Sequence, residues 1–229
     1  MSITINVADW KPMLDCAKAY ISEAVIRVGG GHATIMEVDD TKTNMIHIAV
    51  DCEGEGEFAV DLEKFSKALA AAGQDPILDI EEGYLRIEGT AKVKVPIIIK
   101  ESNIKWPEKF YDKEKKAECN IAPSQMDPVL SYGQFCNQAL VRFVIGDTRM
   151  IVKVGEEPDM SEITSLSTAT GESEVVFSLP MIQAVIKVAK GVDAVTVKGF
   201  GNNFPMVFSW VNGTGNYNIL IAPRIDEDM

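Results

Sequence analysis

Histidine is scarce in this chain: His32 and His47 are the two present among 229 residues, and cysteine occurs four times. Cys16, Cys52, Cys119 and Cys136 form no Cys-x-x-Cys pair, and neither histidine stands at ligand spacing from them. A zinc site, or any other metal site, is therefore not expected. The four cysteines sit inside apolar patterns and read as reduced core thiols of an intracellular protein. No apolar run approaches the roughly 18 residues that suggest a membrane span. The opening MSITINVADW lacks a basic n-region, so no secretory leader is expected. The expected location is the cytoplasm, or the nucleus if the source has one.

Signs of catalysis are also missing. No Ser/His/Asp arrangement is discernible. Gly29-Gly30-Gly31 is not followed by Gly-Lys-Ser/Thr and reads as a turn rather than a phosphate loop. Glu53, Glu55 and Glu57 alternate with Gly54 and Gly56. That pattern is read as a solvated acidic loop, with a cation site, and a metal-dependent enzyme built on it, as the less favoured alternative. No cofactor is expected, and the chain is read as a non-enzyme.

Positive charge is in short supply too, with 22 Lys and Arg against 34 Asp and Glu and a net charge of -12. Duplex DNA carries roughly one negative charge per 1.7 Å of axis. A nucleic-acid role would therefore require the basic residues to be concentrated on one surface.

What the chain does have is two similar halves. Ser2–Val7 alternates like a strand, and a helix is predicted from about Asp9, its expected N-cap, to Ala24. Trp10, Met13, Leu14, Ala17, Ile21 and Ala24 would form its buried face, with Pro12 in the first turn. Strands are predicted around 25–28, 32–38, 44–51 and 57–60. A second helix from about Asp61 to Ala72 turns Leu62, Phe65 and Leu69 inward. Strands near 77–80, 84–88 and 91–99 complete the half.

From 100 to 116 the pattern breaks into the charged ESNIKWPEKFYDKEKK, read as a linker made sticky by Ile104, Trp106, Phe110 and Tyr111. It then restarts. Asn120-Ile121-Ala122 echoes Asn6-Val7-Ala8, and Pro128-Val129-Leu130 echoes Pro12-Met13-Leu14. A third helix is predicted over about 124–135, and Leu179, Ile182 and Ile186 of a fourth match Leu62, Phe65 and Leu69. The repeat length is about 115 residues. The fold class is α+β, with helices covering one face of a large sheet. The expected domains are 1–99 and 117–229, joined by a connector at 100–116. The outer helix faces carry Lys11, Lys18, Lys64, Lys67, Lys187 and Lys190, a local basic surface.

Three stretches resemble the proliferating cell nuclear antigen (PCNA) family of DNA sliding clamps, most closely the archaeal type. Phe58–Leu69 (FAVDLEKFSKAL) resembles that family's strand-to-helix segment. Val38-Asp39-Asp40-Thr41 resembles its Met-Asp-x-Ser turn, and Leu220–Asp228 (LIAPRIDED) its Leu-Ala-Pro-Lys/Arg-Ile-Glu-Asp tail. The resemblance implies two topologically equal clamp domains per subunit, helices lining a pore and antiparallel sheets outside. Subunits would close head to tail into a ring, expected to be a homotrimer. It implies a processivity factor in DNA replication and repair that encircles double-stranded DNA, and hence nucleoid association. Polymerase, clamp loader, nuclease and ligase would dock through short peptides.

On that resemblance the six lysines become pore residues touching phosphates without reading sequence. The third helix, SQMDPVLSYGQF, departs from the family in having no Lys or Arg. The partner pocket is expected to involve Val38, Thr41, Thr43, Pro205, Leu220, Ala222 and Pro223, with Ile104 and Trp106 of the connector above, forming an apolar groove for aromatic and aliphatic anchors. An exposed Trp106 would be a docking feature. Subunit contacts are expected at two edge strands, one near Ala91, Val93 and Val95, the other within 158–167 and including Ile163 and Ser165. The segment 155–174 is shorter than the archaeal pattern. That shortening motivates the alternative of a clamp-like subunit restricted to a hetero-oligomer, or of a monomeric recruitment adaptor.

Overall fold

The computed structural model describes residues 2–107, 116–146, 148–155, 160–165 and 170–224. It divides into two compact units, one of Met1–Trp106 with Val211–Tyr217, the other of Pro107–Trp210 with Asn218–Met229.

The first unit begins with β1 (Ser2–Thr4) and α1 (Val7–Lys18), followed by β2 (Glu23–Gly29), β3 (His32–Val38), β4 (Asn44–Asp51) and β5 (Gly56–Asp61). Then come α2 (Leu62–Ala72), β6 (Ile77–Glu81), β7 (Tyr84–Glu88) and β8 (Lys92–Pro96). Antiparallel pairing joins β4, β3, β2 and β5 in that order, and separately β1, β6, β7 and β8. The N-cap of α1 is Asn6, whose side chain accepts from the Ala8 N–H, and not the expected Asp9. Asp9 lies one turn further on and accepts instead from the Thr214 N–H at 3.4 Å. The helix stops at Lys18. Ala24 belongs to β2, because the segment from Glu23 alternates and its backbone pairs with β5, Glu23 opposite Asp61. The second helix is capped by Asp61, whose carboxylate accepts from the Lys64 N–H at 2.9 Å. The apolar faces of α1 and α2 meet, and Trp10 stacks edge-on against Phe65, which in turn meets Phe58.

The second unit repeats the order. It contains β9 (Ala117–Ile121), α3 (Pro123–Phe135), β10 (Leu140–Gly146), β11 (Arg149–Val154), β12 (Ser161–Ser165) and β13 (Thr170–Gly171). These are followed by β14 (Ser173–Ser178), α4 (Leu179–Val188), β15 (Val195–Gly199), β16 (Met206–Asn212) and β17 (Gly215–Ile221), of which Val211–Tyr217, the end of β16 and the start of β17, belong to the first unit. Strands β12, β11, β10 and β14 form one antiparallel set, and β13, β9, β15 and β16 another. Its aromatic core is a triangle of Phe143, Phe177 and Phe208 with centroids 5.6 to 6.1 Å apart, all mutually edge-on. Helix α3 starts with Pro123, and Gln125 reaches back to accept from the Ala122 N–H. It packs so closely on β11 that a Cβ on Gly133 would fall 2.2 Å from Val154 Cγ1.

Three of the four cysteines are buried, as a core role requires, but Cys136 at the end of α3 is half-exposed. Among the described residues, no helix is long and apolar enough to cross a membrane. Nor do these residues include three or more His, Cys, Asp or Glu grouped to hold a metal. Glu57 of the acidic loop is engaged by Arg27 at 2.7 Å.

Candidate docking and DNA-facing surfaces

Strand alternation gives β3 and β4 two faces. On the inner face Ala33, Ile35, Ile46 and Ile48 are buried. On the outer face Thr34, Met36 and Val38 of β3 are half-exposed, beside His47 and Ala49 of β4. Register places Met36 opposite His47 and Val38 opposite Met45. The sequence reading picked out Val38 but missed Met36 and His47. The period-two pattern held the signal, because an outward-facing Met and Val on neighbouring positions of one strand need cover.

The connector supplies that cover. Lys100 Nζ donates to the Glu23 carbonyl at 2.6 Å and lies 3.8 Å from the buried Glu37 carboxylate. Arg27 donates to the Ser102 carbonyl, and Ser102 Oγ donates to the Met36 carbonyl at 3.4 Å. Beyond this anchor, Ile104 and Trp106 are half-buried. The Trp106 ring lies over His47, with centroids 5.5 Å apart and planes at 44°. Trp106 is therefore not the freely exposed side chain that the linker composition suggested. Phe110 and Tyr111 lie outside the described residues. Burial of the His47 imidazole lowers its pKa below the ordinary value.

The lip of this groove is built by one carboxylate. Asp39 Oδ1 accepts from the N–H groups of Thr43 and Asn44, while Oδ2 accepts from Thr41 Oγ1, Thr43 Oγ1 and Asn44 Nδ2. Burial tends to raise the pKa of this acid. The hydrogen bonds from Thr41, Asn44 and Thr43 outweigh it and hold the pKa below the ordinary value. Lys42 at the tip adopts φ 57°. The expected pocket residues Thr41 and Thr43 are exposed, and both hydroxyls are tied to Asp39. In the second unit Pro205, Leu220, Ala222 and Pro223 are each half-exposed rather than core. The tail is pinned where Arg224 N–H donates to the Val176 carbonyl at 2.8 Å.

The lysines of the two units differ in their surroundings. In the first, Asp15 takes both Lys11 at 2.7 Å and Lys18 at 2.9 Å, Glu63 takes Lys67 at 3.1 Å, and Asp61 lies 3.5 Å from Lys64. In the second, Lys187 and Lys190 are exposed and make no ion pair among the described residues. The exposed face of α3 has no cation. It presents Ser124, Asp127, Ser131, Gln134 and a largely bare Phe135.

At the expected edges, β8 and β12 each end their own four-stranded sheet. Ala91 precedes β8 in a turn, Val93 is half-exposed, and Val95 points into the core, so only its backbone faces an edge contact. Ile163 of β12 is half-exposed and pairs with Val152, and Ser165 pairs with Met150.

Comparison with known proteins covers the whole chain. A protein of Methanococcoides burtonii named DNA polymerase sliding clamp is 21% identical across 98% of this chain and 98% of its own. Among solved structures, PCNA of A. fulgidus, described with the C-terminal region of FEN-1 bound, superposes with TM-score 0.82 at 18% identity, covering all of both chains. The PCNA2–PCNA3 complex of Sulfolobus tokodaii gives TM-score 0.79 at 18% identity, over 98% of this chain and 99% of that one. No family model matches the chain. The resemblance to the PCNA clamps extends beyond the three motifs that first carried it, and the chain has the PCNA fold.

Proposed function

We propose that this chain is a DNA sliding clamp subunit: a ring-forming scaffold that encircles duplex DNA, performs no chemistry of its own, and recruits replication and repair proteins. The observation that carries the reading is end-to-end agreement with sliding clamps in both sequence and fold. The outer lysines Lys11, Lys18, Lys64, Lys67, Lys187 and Lys190 would face the DNA. Four of them are held close to carboxylates. Phosphate contacts there compete with Asp15, Asp61 and Glu63, which keeps each contact weak and salt-sensitive, as a protein that slides requires. Enclosure, rather than affinity, would hold the DNA.

Partner peptides would dock on the outer face of β3 and β4, beside Val38, Thr41, Thr43 and the connector residues Ile104 and Trp106. Pro205, Leu220, Ala222 and Pro223 receive the same role by resemblance. A short segment with aromatic and aliphatic anchors suits such a surface. The A. fulgidus protein binds a FEN-1 C-terminal region, and a peptide of that region is the natural probe here. Subunits would join head to tail through β8 and β12, whose outer backbone edges end their sheets. Domain limits of 1–99 and 117–229, with the connector between, fit this assembly.

The test combines mass and activity. A homotrimer has a solution mass near three times 25.1 kDa, and a loader-assisted polymerase makes longer products in its presence. A strictly monomeric protein without effect on product length refutes the reading. A second reading, a subunit of a mixed ring, is supported by the likeness to a PCNA2–PCNA3 complex and by the cation-free face of α3. Sedimentation of the isolated chain separates the two.

A further inference from the structure

Each of the two four-stranded sheets has one covered end and one open end. In the first unit β1 is bridged to Glu53, whose carbonyl accepts from the Thr4 N–H at 3.2 Å. In the second, the Glu174 and Val176 carbonyls of β14 accept from the N–H groups of Asn203 at 3.2 Å and Arg224 at 2.8 Å. That leaves β8 and β12, five residues each, with no backbone partner on their outer edges among the described residues.

The side chains along these two edges differ in what they still need. On the outer face of the first sheet, register sets Lys94 opposite Arg86, a like-charge pair. Arg86 is held by Asp79 at 2.8 Å and Glu81 at 3.0 Å, and Lys92 by Glu88 at 3.2 Å. The exposed Lys94 lies over the Tyr84 ring, 4.1 Å from Nζ to the centroid, and makes no ion pair among the described residues. On β12 the exposed Glu162 meets Lys153 at 3.3 Å and has a second oxygen to offer. On the opposite, helix-covered faces, Val93 and Ile163 are half-exposed while Val95 is already buried.

Resting on the ring reading above, we propose that a second copy of this chain adds its β12 to β8 in one antiparallel register, with Lys94 opposite Glu162 and Val93 opposite Ile163. Inward side chains must meet inward ones, so the nearest competing registers are two residues away. A slip one way sets Glu162 against Lys92, which Glu88 already holds, and Val93 against Ser161. A slip the other way sets Glu162 against Pro96 and Ile163 against the buried Val95. Of the three, the proposed register gives the unpaired cation a carboxylate and joins the two half-exposed aliphatic side chains. The outer-face row that runs Asp79, Arg86, Lys94 in one copy continues as Glu162, Lys153, Arg142 in the next. Lys94 makes the edge selective, because a strand with a cation at the Glu162 position is repelled.

The test oxidises three double-cysteine variants of the full chain and resolves them on a non-reducing gel. Opposite residues bring their Cβ atoms to about 4.5–5.5 Å, diagonal ones only to about 7–8 Å, and a disulfide needs about 3.5–4.5 Å. Val93→Cys with Ile163→Cys is therefore expected to give covalent oligomers up to the trimer. Val93→Cys with Ser161→Cys, and Val95→Cys with Ile163→Cys, match the slipped registers and should stay uncrosslinked, as should the unaltered chain with its half-exposed Cys136. Sedimentation supplies a second readout that needs no new cysteine. Lys94→Glu alone and Glu162→Lys alone should each weaken self-association roughly two- to thirty-fold per contact, and the doubly swapped chain should recover most of it. Preferential crosslinking of a slipped pair, single variants that associate like wild type, or a swap that fails to restore association overturns the proposal. A wild-type ring in which no pair crosslinks overturns the strand pairing and leaves the ring reading intact. Wild-type protein that sediments as a monomer overturns both.

Discussion

Replacing Asp39 tests whether one carboxylate holds the lip of the docking groove. Its two oxygens accept from two backbone N–H groups, two threonine hydroxyls and the Asn44 amide, at 2.6 to 3.0 Å. In Asp39→Ala the exposed Thr41 and Thr43 hydroxyls turn to water at little loss. Asn44 is 2% exposed, so its backbone N–H and amide lose their charged acceptor without gaining water, although the amide keeps Thr43 Oγ1 at 3.1 Å. Charge-assisted bonds contribute about 1.5–3 kcal/mol each. Because the donors share one acceptor group, the expected loss is about 3 kcal/mol rather than the sum. For a chain of this length that lowers Tm by about 6–12 °C. Asp39→Asn keeps an oxygen for the two backbone donors and loses the Oδ2 acceptor, so its loss should be about half as large.

The pH dependence follows in sign. The folded pKa of Asp39 lies below its ordinary value of 3.8. Its stabilisation is therefore fully present above that value and is lost as pH falls through the folded pKa, and the acid arm of the stability curve should flatten in Asp39→Ala. Urea melts across pH measure both effects, and binding of the FEN-1 peptide should weaken in parallel as the lip loosens. Equal losses for the Ala and Asn variants, or an Ala variant within about 0.5 kcal/mol of wild type, would refute the hub.

Gly133→Ala places a methyl 2.2 Å from Val154 Cγ1. Overpacking of about 1–3 kcal/mol should exceed the helix gain of about 1 kcal/mol, so denaturant melts should show a net loss, and a stabilised variant would contradict the packing. His47 has a folded pKa below its ordinary 6.5 through burial. The unfolded chain binds the proton first as pH falls, so stability should drop through pH 6.5 and level off below the folded pKa, a step that His47→Gln removes. If the lysines face DNA, Lys187→Ala with Lys190→Ala should reduce the log–log salt slope of DNA retention by about 2 per subunit. Lys11→Ala with Lys67→Ala should reduce it less, because Asp15 and Glu63 already hold those side chains.

The sequence showed the two-unit order because amphipathic periods survive the loss of residue-by-residue similarity. Leu62, Phe65 and Leu69 keep their spacing in Leu179, Ile182 and Ile186, and all six are buried. The end of α1 was not legible, because Ile21 and Ala24 continue a helical spacing by chance while the backbone at Glu23 is captured by β5, a long-range pairing. The N-cap was misplaced because Asn6 and Asp9 are both good caps, and the position of β1 decides between them. For the proposed docking surface, Val38, Thr41 and Thr43 were named through a motif resemblance. His47, Met36 and the anchor formed by Lys100 and Ser102 were missed because each depends on where the connector lies, and an aperiodic charged segment does not announce its path. The Asp15–Lys18 pair is an i, i+3 spacing open to sequence inspection, whereas the second carboxylate beside Lys18, Glu63 at 3.8 Å, was hidden because it approaches from another helix.

Topological enclosure is the central claim, and retention on DNA of different topology tests it most directly. The protein is loaded onto nicked circular plasmid with a clamp loader, freed of unbound chains by gel filtration, and the plasmid is then cut once with a restriction enzyme. A sliding clamp stays with the circle and leaves when the DNA becomes linear. Equal retention on circular and linear DNA, or no retention on the circle, would contradict the account.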